Sequence, residues 1–400
     1  MKNVSALVDK NGISMEKIDD SIELAKNWVL YSGIQNYGKR CLVNGAFNSW
    51  YDVDNKIYPY VYSEVSGYGI SFYLYLESMR EDNELLERAI LSADWIHNYA
   101  LIADTFDVMF RFYYHENDFW PRNSYSFDNA IILNGLVLLF NKTKNEKYLD
   151  ISTKIAKRLI DVMQHDNGSF YSYYSLDDGI KLMSPDSWSK YPGSYHAKNA
   201  IALLKLFEIT GDSFFKNSAT KVCDWSLKQQ QNDGRFVSVK TDESTILHPH
   251  CYSLEGLFYA GAIMDNDDYL QSVIKGIDWI IKSQLDTGGI SSTYVQGKFL
   301  PTERCDALAQ SIRLIILALN RGLIGEEYIE SVLKMGKRLL QFQCRKPGLA
   351  QRGGFYYMIN GDNIEYNNIN SWATMFSVQA LIMLGEFLNS EKNFDINFLL

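Results

Sequence analysis

No Cys-x-x-Cys pair occurs in the 400 residues, and the five cysteines, at positions 41, 223, 251, 305 and 344, are odd in number and widely spaced. That pattern signals neither a disulfide framework nor a zinc knuckle. Runs of Lys and Arg are missing too, and the formal net charge is −9. A chain without such a basic footprint is not expected to take a nucleic-acid partner. No stretch approaches the roughly 20 apolar residues of a membrane span. The segment from Met1 to Lys10 has no apolar run of signal-peptide length. A cytoplasmic location is the default expectation.

What is present is a globular composition, 46% hydrophobic and 22% charged, which argues against disorder. Aromatic residues reach 14%, with 27 Tyr. Tyr has an apolar face and a hydroxyl, so this surplus fits either a Tyr-rich core or a large polar-aromatic surface.

A repeated phrase organises the chain. Trp225 is followed by Gln230, Gly234 and Phe236; Leu159 by Gln164, Gly168 and Phe170; Trp279 by Gln284, Gly288 and Ile290. A looser copy has Arg338, Gln343 and Gly348. Amphipathic segments with acidic starts precede these phrases or share their pattern: 16–28, 83–99, 146–163, 212–228, 267–282 and 326–342. Acidic residues suit the positive start of a helix, and Asp212 or Asp267 can cap one. Between them lie six segments that are apolar on nearly every side: 70–76, 130–140, 200–207, 254–263, 311–319 and 373–384. A helix apolar all round is a buried helix.

Six amphipathic helices alternating with six buried ones predict an all-α fold. Hairpins of roughly 55–67 residues are longer than solenoid repeats such as the 34-residue tetratricopeptide. They fit a closed (α/α)6 toroid, with an inner ring of helices inside an outer one. An open solenoid would leave its concave face wet, and the buried helices favour closure. Stacked units share a core, so one domain over 1–400 is expected, with residues 1–15 as a loose extension.

On these features the chain resembles the α/α-toroid superfamily: six-hairpin glycosidases, toroid polysaccharide lyases and the C-terminal domain of glucuronyl C5-epimerases. The Gln-x-x-x-Gly-x-aromatic phrase is also similar to the repeated motif of squalene cyclases. Asp265-Asn266-Asp267-Asp268 matches the proton-donor motif of class II terpene cyclases. It lies where the equivalent turns read Gly211-Asp212-Ser213 and Asn145-Glu146-Lys147, so helix capping explains it. His250-Cys251-Tyr252-Ser253 resembles the zinc-bearing stretch of protein prenyltransferase β subunits. Pro249 stands where that family has Asp, and the last inner segment carries no His, so no metal or other cofactor is expected.

In such a toroid the long loops feed one end of the inner helices, and one rim collects the residues just before each buried segment. Here those residues are polar on all six segments. They include Glu64 and Tyr68; Arg122 and Asp128; Trp188, Tyr195 and His196; His248, His250, Tyr252 and Glu255; Arg304 and Asp306; and Trp372. Asp128, Ser253, Asp306 and Asn370 can equally be caps, and His196 a core histidine. His248 and His250 alternate, which places them on one side of an extended segment. A buried carboxylate such as Glu64 or Glu255 needs a partner, and Arg304 or Arg313 can supply one.

A rim of Tyr, Trp, carboxylate, His and Arg suits an oligosaccharide or polysaccharide, with Arg pairing a uronate carboxylate. Hydrolysis needs two carboxyl groups about the glycosidic bond. Glu64, Asp128, Glu255 and Asp306 are the candidates. A lyase or C5-epimerase needs instead a base and a neutralising cation. His196 or His250 with Tyr68, Tyr195 or Tyr252 would serve, with Arg304 as the cation. A glycan-binding protein without catalysis would keep the same aromatic rim. The expectation is a carbohydrate-active enzyme on a substrate containing uronic acid, with hydrolysis ahead of elimination or epimerisation. Arg122, Trp188, His248 and Trp372 are expected to help bind it.

Overall fold

The computed structural model describes residues 12–38, 42–102, 107–108, 112–114, 119, 121–177, 179, 181–391 and 394–400. Cys41 and most of the expected N-terminal extension lie outside them. The four described cysteines are free thiols, all buried.

Among the described residues, twelve α-helices alternate in two layers. The outer ones are Met15–Tyr31, Asn83–Trp95, Glu146–Arg158, Ser213–Leu227, Asp267–Lys282 and Ile329–Gln341. The inner ones are Ser63–Met79, Ser126–Thr143, Asn199–Thr210, Leu247–Met264, Cys305–Arg321 and Ser371–Leu388. The outer helices are amphipathic for the reason the sequence gives. In Asp267–Lys282, for example, Leu270, Val273, Ile277 and Ile280 form one buried stripe. Each of the first five is started by a side chain that accepts a backbone N–H. Those caps are Ser14, Asp82, Asn145, Asp212 and Asn266. The cap before the fifth outer helix is therefore Asn266, and Asp267 is the first helical residue.

Every inner helix packs on the next, and the last packs on the first, so the ring is closed. Ser371–Leu388 is long and apolar enough to cross a membrane by length and composition. It lies inside the ring, with only Trp372 and its last three residues less than fully buried, and that place accounts for its apolarity.

The repeated Gln is a staple between hairpins. Gln230 donates from Nε2 to Gly234 O in its own loop at 2.9 Å and to Ser272 O in the next outer helix at 2.8 Å. Gln164 does the same with Gly168 and Ser218, and Gln284 with Gly288 and Ser331. The last copy joins Gln343 to Gly353 and to Ser21 of the first outer helix, so the glycine of that copy is Gly353 and not Gly348. A further copy, Gln35 with Gly45 and Phe47, bridges to Arg88 O. The glycine is obligatory. Gly234 has φ +97°, and a Cβ there would stand 2.2 Å from Lys275 O of the next helix.

The inner helices begin before their apolar segments do, at Ser63 and Leu247 where the apolar pattern starts at Ile70 and Leu254. Their first turns are polar because they face a cavity at one rim. Short strands lead into them. The largest sheet has the order Trp50–Asp52, Asn363–Asn370, Phe355–Asn360, Thr302–Arg304, all antiparallel, with Arg304 opposite Met358. At the other end, residues 394–400 pack across the inner helices, with Phe398 against Tyr75 and Asn397 against Lys205 and Tyr259.

Candidate active site

A cavity of about 230 Å³ opens at the rim formed by the first turns of the inner helices. Two carboxylates line it. Glu64 is the second residue of the first inner helix and Asp128 the third residue of the second. Both are nearly buried, at 8% and 4% exposure. Neither is an N-cap, since each lies within its helix.

Aromatic rings build the walls. Trp188 stands edge-on to Tyr195, with centroids 5.2 Å apart, and edge-on to His248 at 5.7 Å. Phe127 packs on Tyr252 at 4.6 Å, and Trp372 meets Tyr62 and Tyr357 edge-on. Tyr252 accepts a hydrogen bond from Tyr68, with 2.9 Å between the hydroxyls. Tyr68 itself lies beneath the cavity and does not line it. Burial first, and then the nearby Glu64 carboxylate, pushes the Tyr68 phenol well above its ordinary range.

Arg304 brings a cation to the wall. Its Nε and Nη2 reach Asp306 Oδ1 and Oδ2 at 3.0 and 2.5 Å, and its guanidinium lies 4.8 Å from the centre of the Tyr357 ring. Asp306 is fully buried and does not line the cavity. It also accepts from Trp372 Nε1 at 3.0 Å and lies 3.4 Å from His248 Nδ1. Burial alone would raise this carboxyl. The Arg304 charge, then His248 and the bonds from Arg304 and Trp372, hold it at about 2. Asp306 is thus the hub that orients Arg304, Trp372 and His248.

A second charged layer lies below. Glu255 is fully buried, with Oε1 2.6 Å from Arg313 Nη2 and Oε2 2.6 Å from Lys198 Nζ. Gln310 donates to Glu255 Oε2 at 3.2 Å. Lys198 Nζ also lies 4.6 Å from the centre of the Tyr252 ring. Burial lowers this amine to about 8 against the pull of Glu255.

The structure does not bring every expected residue to the cavity. Glu64, Asp128, Trp188, Tyr195, His248, Tyr252, Arg304 and Trp372 line it. His250 faces away, its Nε2 3.3 Å from Gly276 O of the outer helix. The expected alternation fails here because the segment is helical from Leu247, and residues two apart on a helix point about 200° apart. Pro249 is tolerated because it sits in the first turn. His196 is held in the core by Ser126 Oγ at 2.9 Å and the Gly193 carbonyl at 3.2 Å. Arg122 is half exposed and ion-paired with Asp177. Ser253 is mid-helix, and of the four proposed caps only Asn370 is one. Tyr60, Phe127 and Tyr357 line the cavity without having been expected to. Tyr357 arrives on a strand that no hydrophobic period announced.

Residues 100–283 match the family described as Glycosyl Hydrolase Family 88, a span that contains Asp128, Trp188, His248 and Tyr252. No curated protein matches the sequence. Among solved structures, cellobiose 2-epimerase from Bacillus thermoamylovorans superposes with a TM-score of 0.75 at 12% identity, covering 93% of this chain and 98% of the other. D-mannose isomerase gives 0.75 at 12% identity, with 93% and 97% covered. Unsaturated glucuronyl hydrolase from Bacillus sp. GL1 gives 0.68 at 13% identity, with 92% and 96% covered.

The chain folds as an α/α toroid of six helical hairpins. The likeness spans nearly the whole length of each of these structures, so the closed ring is shared architecture. At these identities it speaks for the fold alone.

Proposed function

We propose that this toroid is a glycoside hydrolase acting on an oligosaccharide that contains uronic acid. The observation that carries the reading is the pair Glu64 and Asp128, on neighbouring inner helices, both lining one aromatic-walled cavity. One carboxyl group would protonate the glycosidic oxygen while the other activates water or attacks the anomeric carbon, as glycoside hydrolysis requires. Tyr and Trp rings give faces for the sugar. Arg304, whose Nε and Nη2 are held by Asp306, keeps Nη1 for a sugar carboxylate. The match of residues 100–283 to a glycosyl hydrolase family supports the reading. So does the fold shared with an unsaturated glucuronyl hydrolase.

A second reading, epimerisation or elimination, is favoured by one observation. His248 and Tyr252 lie in the same cavity with ring centroids 4.3 Å apart, and cellobiose 2-epimerase shares the fold. Incubation of the purified protein with acidic and neutral oligosaccharides separates the two. New reducing ends without absorbance from an unsaturated uronate would establish hydrolysis. That absorbance would mean elimination, and uptake of solvent deuterium at a sugar carbon without cleavage of the chain would mean epimerisation. The unsaturated-uronate absorbance, or epimerisation without new reducing ends, overturns the first reading.

A further inference from the structure

Among the described residues His248 is the imidazole that lines the cavity. Which of its nitrogens carries the proton decides whether it can donate to a ligand or accept from one. Nδ1 lies 2.7 Å from Gln310 Oε1 and 3.4 Å from Asp306 Oδ2. The two ends of an amide look alike in electron count, so the orientation of Gln310 must follow from its other neighbour. That neighbour is Glu255, whose Oε2 is 3.2 Å from Gln310 Nε2. Glu255 is fully buried and ion-paired with Arg313 at 2.6 Å. An arginine stays protonated, and a carboxylate facing it can only accept. The NH2 edge of Gln310 therefore points to Glu255, and its carbonyl is turned to His248.

Two acceptors then face Nδ1, the Gln310 carbonyl and the Asp306 carboxylate. The Gln310 carbonyl is satisfied there only if Nδ1 carries a hydrogen, and the Asp306 carboxylate beside it repels a bare lone pair. A second proton on the ring is opposed by burial, which holds His248 down to about 3. Nε2 is left with its lone pair, and no hydrogen bond to it is made among the described residues.

We propose that Gln310, oriented by Glu255, is a positioning residue that locks His248 in the Nδ1–H form and so makes Nε2 a hydrogen-bond acceptor for a sugar hydroxyl. Its role toward a sugar rests on the glycoside-processing reading above, whereas the tautomer does not. The consequence is a chemical preference. A hydroxyl that donates is welcomed at this atom, and a carboxylate oxygen, which only accepts, is refused there. An acidic sugar is accordingly oriented with a hydroxyl at His248 and its carboxylate elsewhere.

The test is long-range 1H–15N correlation on the full chain labelled in its histidines, without substrate. The chain has six His, and the His248→Asn variant identifies the resonances that belong to position 248. The wild-type spectrum is expected to show a protonated Nδ1 and an unprotonated Nε2. In Gln310→Leu the Nε2–H form should appear, and KM for a turned-over glycan should rise about tenfold, the factor given by roughly 1.4 kcal/mol. A wild-type ring protonated at Nε2 overturns the proposal, and this reading does not depend on the Gln310 variant folding. An unchanged tautomer in Gln310→Leu also overturns it. If the tautomer switches as expected but no glycan is ever turned over, the lock stands and the hydrolase reading falls.

Discussion

Gln343 and Ser21 close the ring. Gln343 Nε2 donates to the Ser21 carbonyl at 2.8 Å, and Ser21 Oγ donates back to Gln343 Oε1 at 2.9 Å. They are 322 positions apart and tie the last hairpin to the first helix. Both are buried, so Gln343→Ala leaves polar groups unsatisfied, and we expect a loss of about 1–3 kcal/mol. Urea denaturation reads it. A midpoint equal to that of the wild type would show that the staple is not what holds the seam.

The glycine of the same phrase is tested separately. Gly353 has φ +100°, and a Cβ there would lie 2.1 Å from Leu24 O. Gly353→Ala must therefore move the first outer helix away from the loop. Its Tm should fall by more than that of Gly361→Ala, where φ is +60° and nothing lies within 4 Å. Equal shifts would mean that conformational strain alone, without the close approach, sets the cost.

Glu64→Gln and Asp128→Asn should each lower kcat by about 10²–10⁴-fold, the usual worth of a positioned acid or base. Both variants should remain folded, because each replacement keeps the size of a side chain that borders the cavity. Binding of the oligosaccharide, followed by calorimetry, should change little. Unimpaired turnover in either variant removes that carboxylate from the mechanism.

Arg304→Met leaves Asp306 buried without its main partner. Loss of one member of a buried pair costs about 3–5 kcal/mol. The double variant Arg304→Met/Asp306→Asn should recover much of that, since the stranded charge is gone. Thermal unfolding of the two variants side by side checks the order. A double variant no more stable than the single would show that Asp306 matters through Trp372 and His248 instead.

Acid should destabilise the fold well above the carboxylate range. His196, His248 and His250 are held by burial at about 3, 3 and 4. An unfolded histidine titrates near 6.5. Between those values the unfolded chain binds protons that the folded chain refuses, so stability falls as pH drops below about 6.5. Asp306, held at about 2, adds a loss in the same direction below the ordinary carboxylate value of about 3.9. Denaturation midpoints measured from pH 7 down to pH 4 should decline steadily. A flat profile would mean that these rings gain protons in the folded state.

The alternation of six amphipathic and six apolar segments was legible in the sequence, because a 3.6-residue period records which faces a helix buries. So was the Gln-Gly phrase. Its copies at Gln35 and Gln343 were obscured because their loops insert residues between Gln and Gly while the glycine stays two places before Phe47 or Phe355. The polar character of one rim was legible as composition. Which of its residues share the cavity was not. His248 and His250 read alike until the first turn was known to be helical, and only then does one face the cavity and the other the outer layer. Glu255 and Asp306 read like Glu64 and Asp128, yet they lie in buried networks beneath and behind the wall. The sequence by itself determined the ring, since burial pattern is local and repeats in every hairpin. Only the tertiary structure decided the site, because a side chain's direction depends on where each helix starts, and its partners come from segments tens to hundreds of residues away.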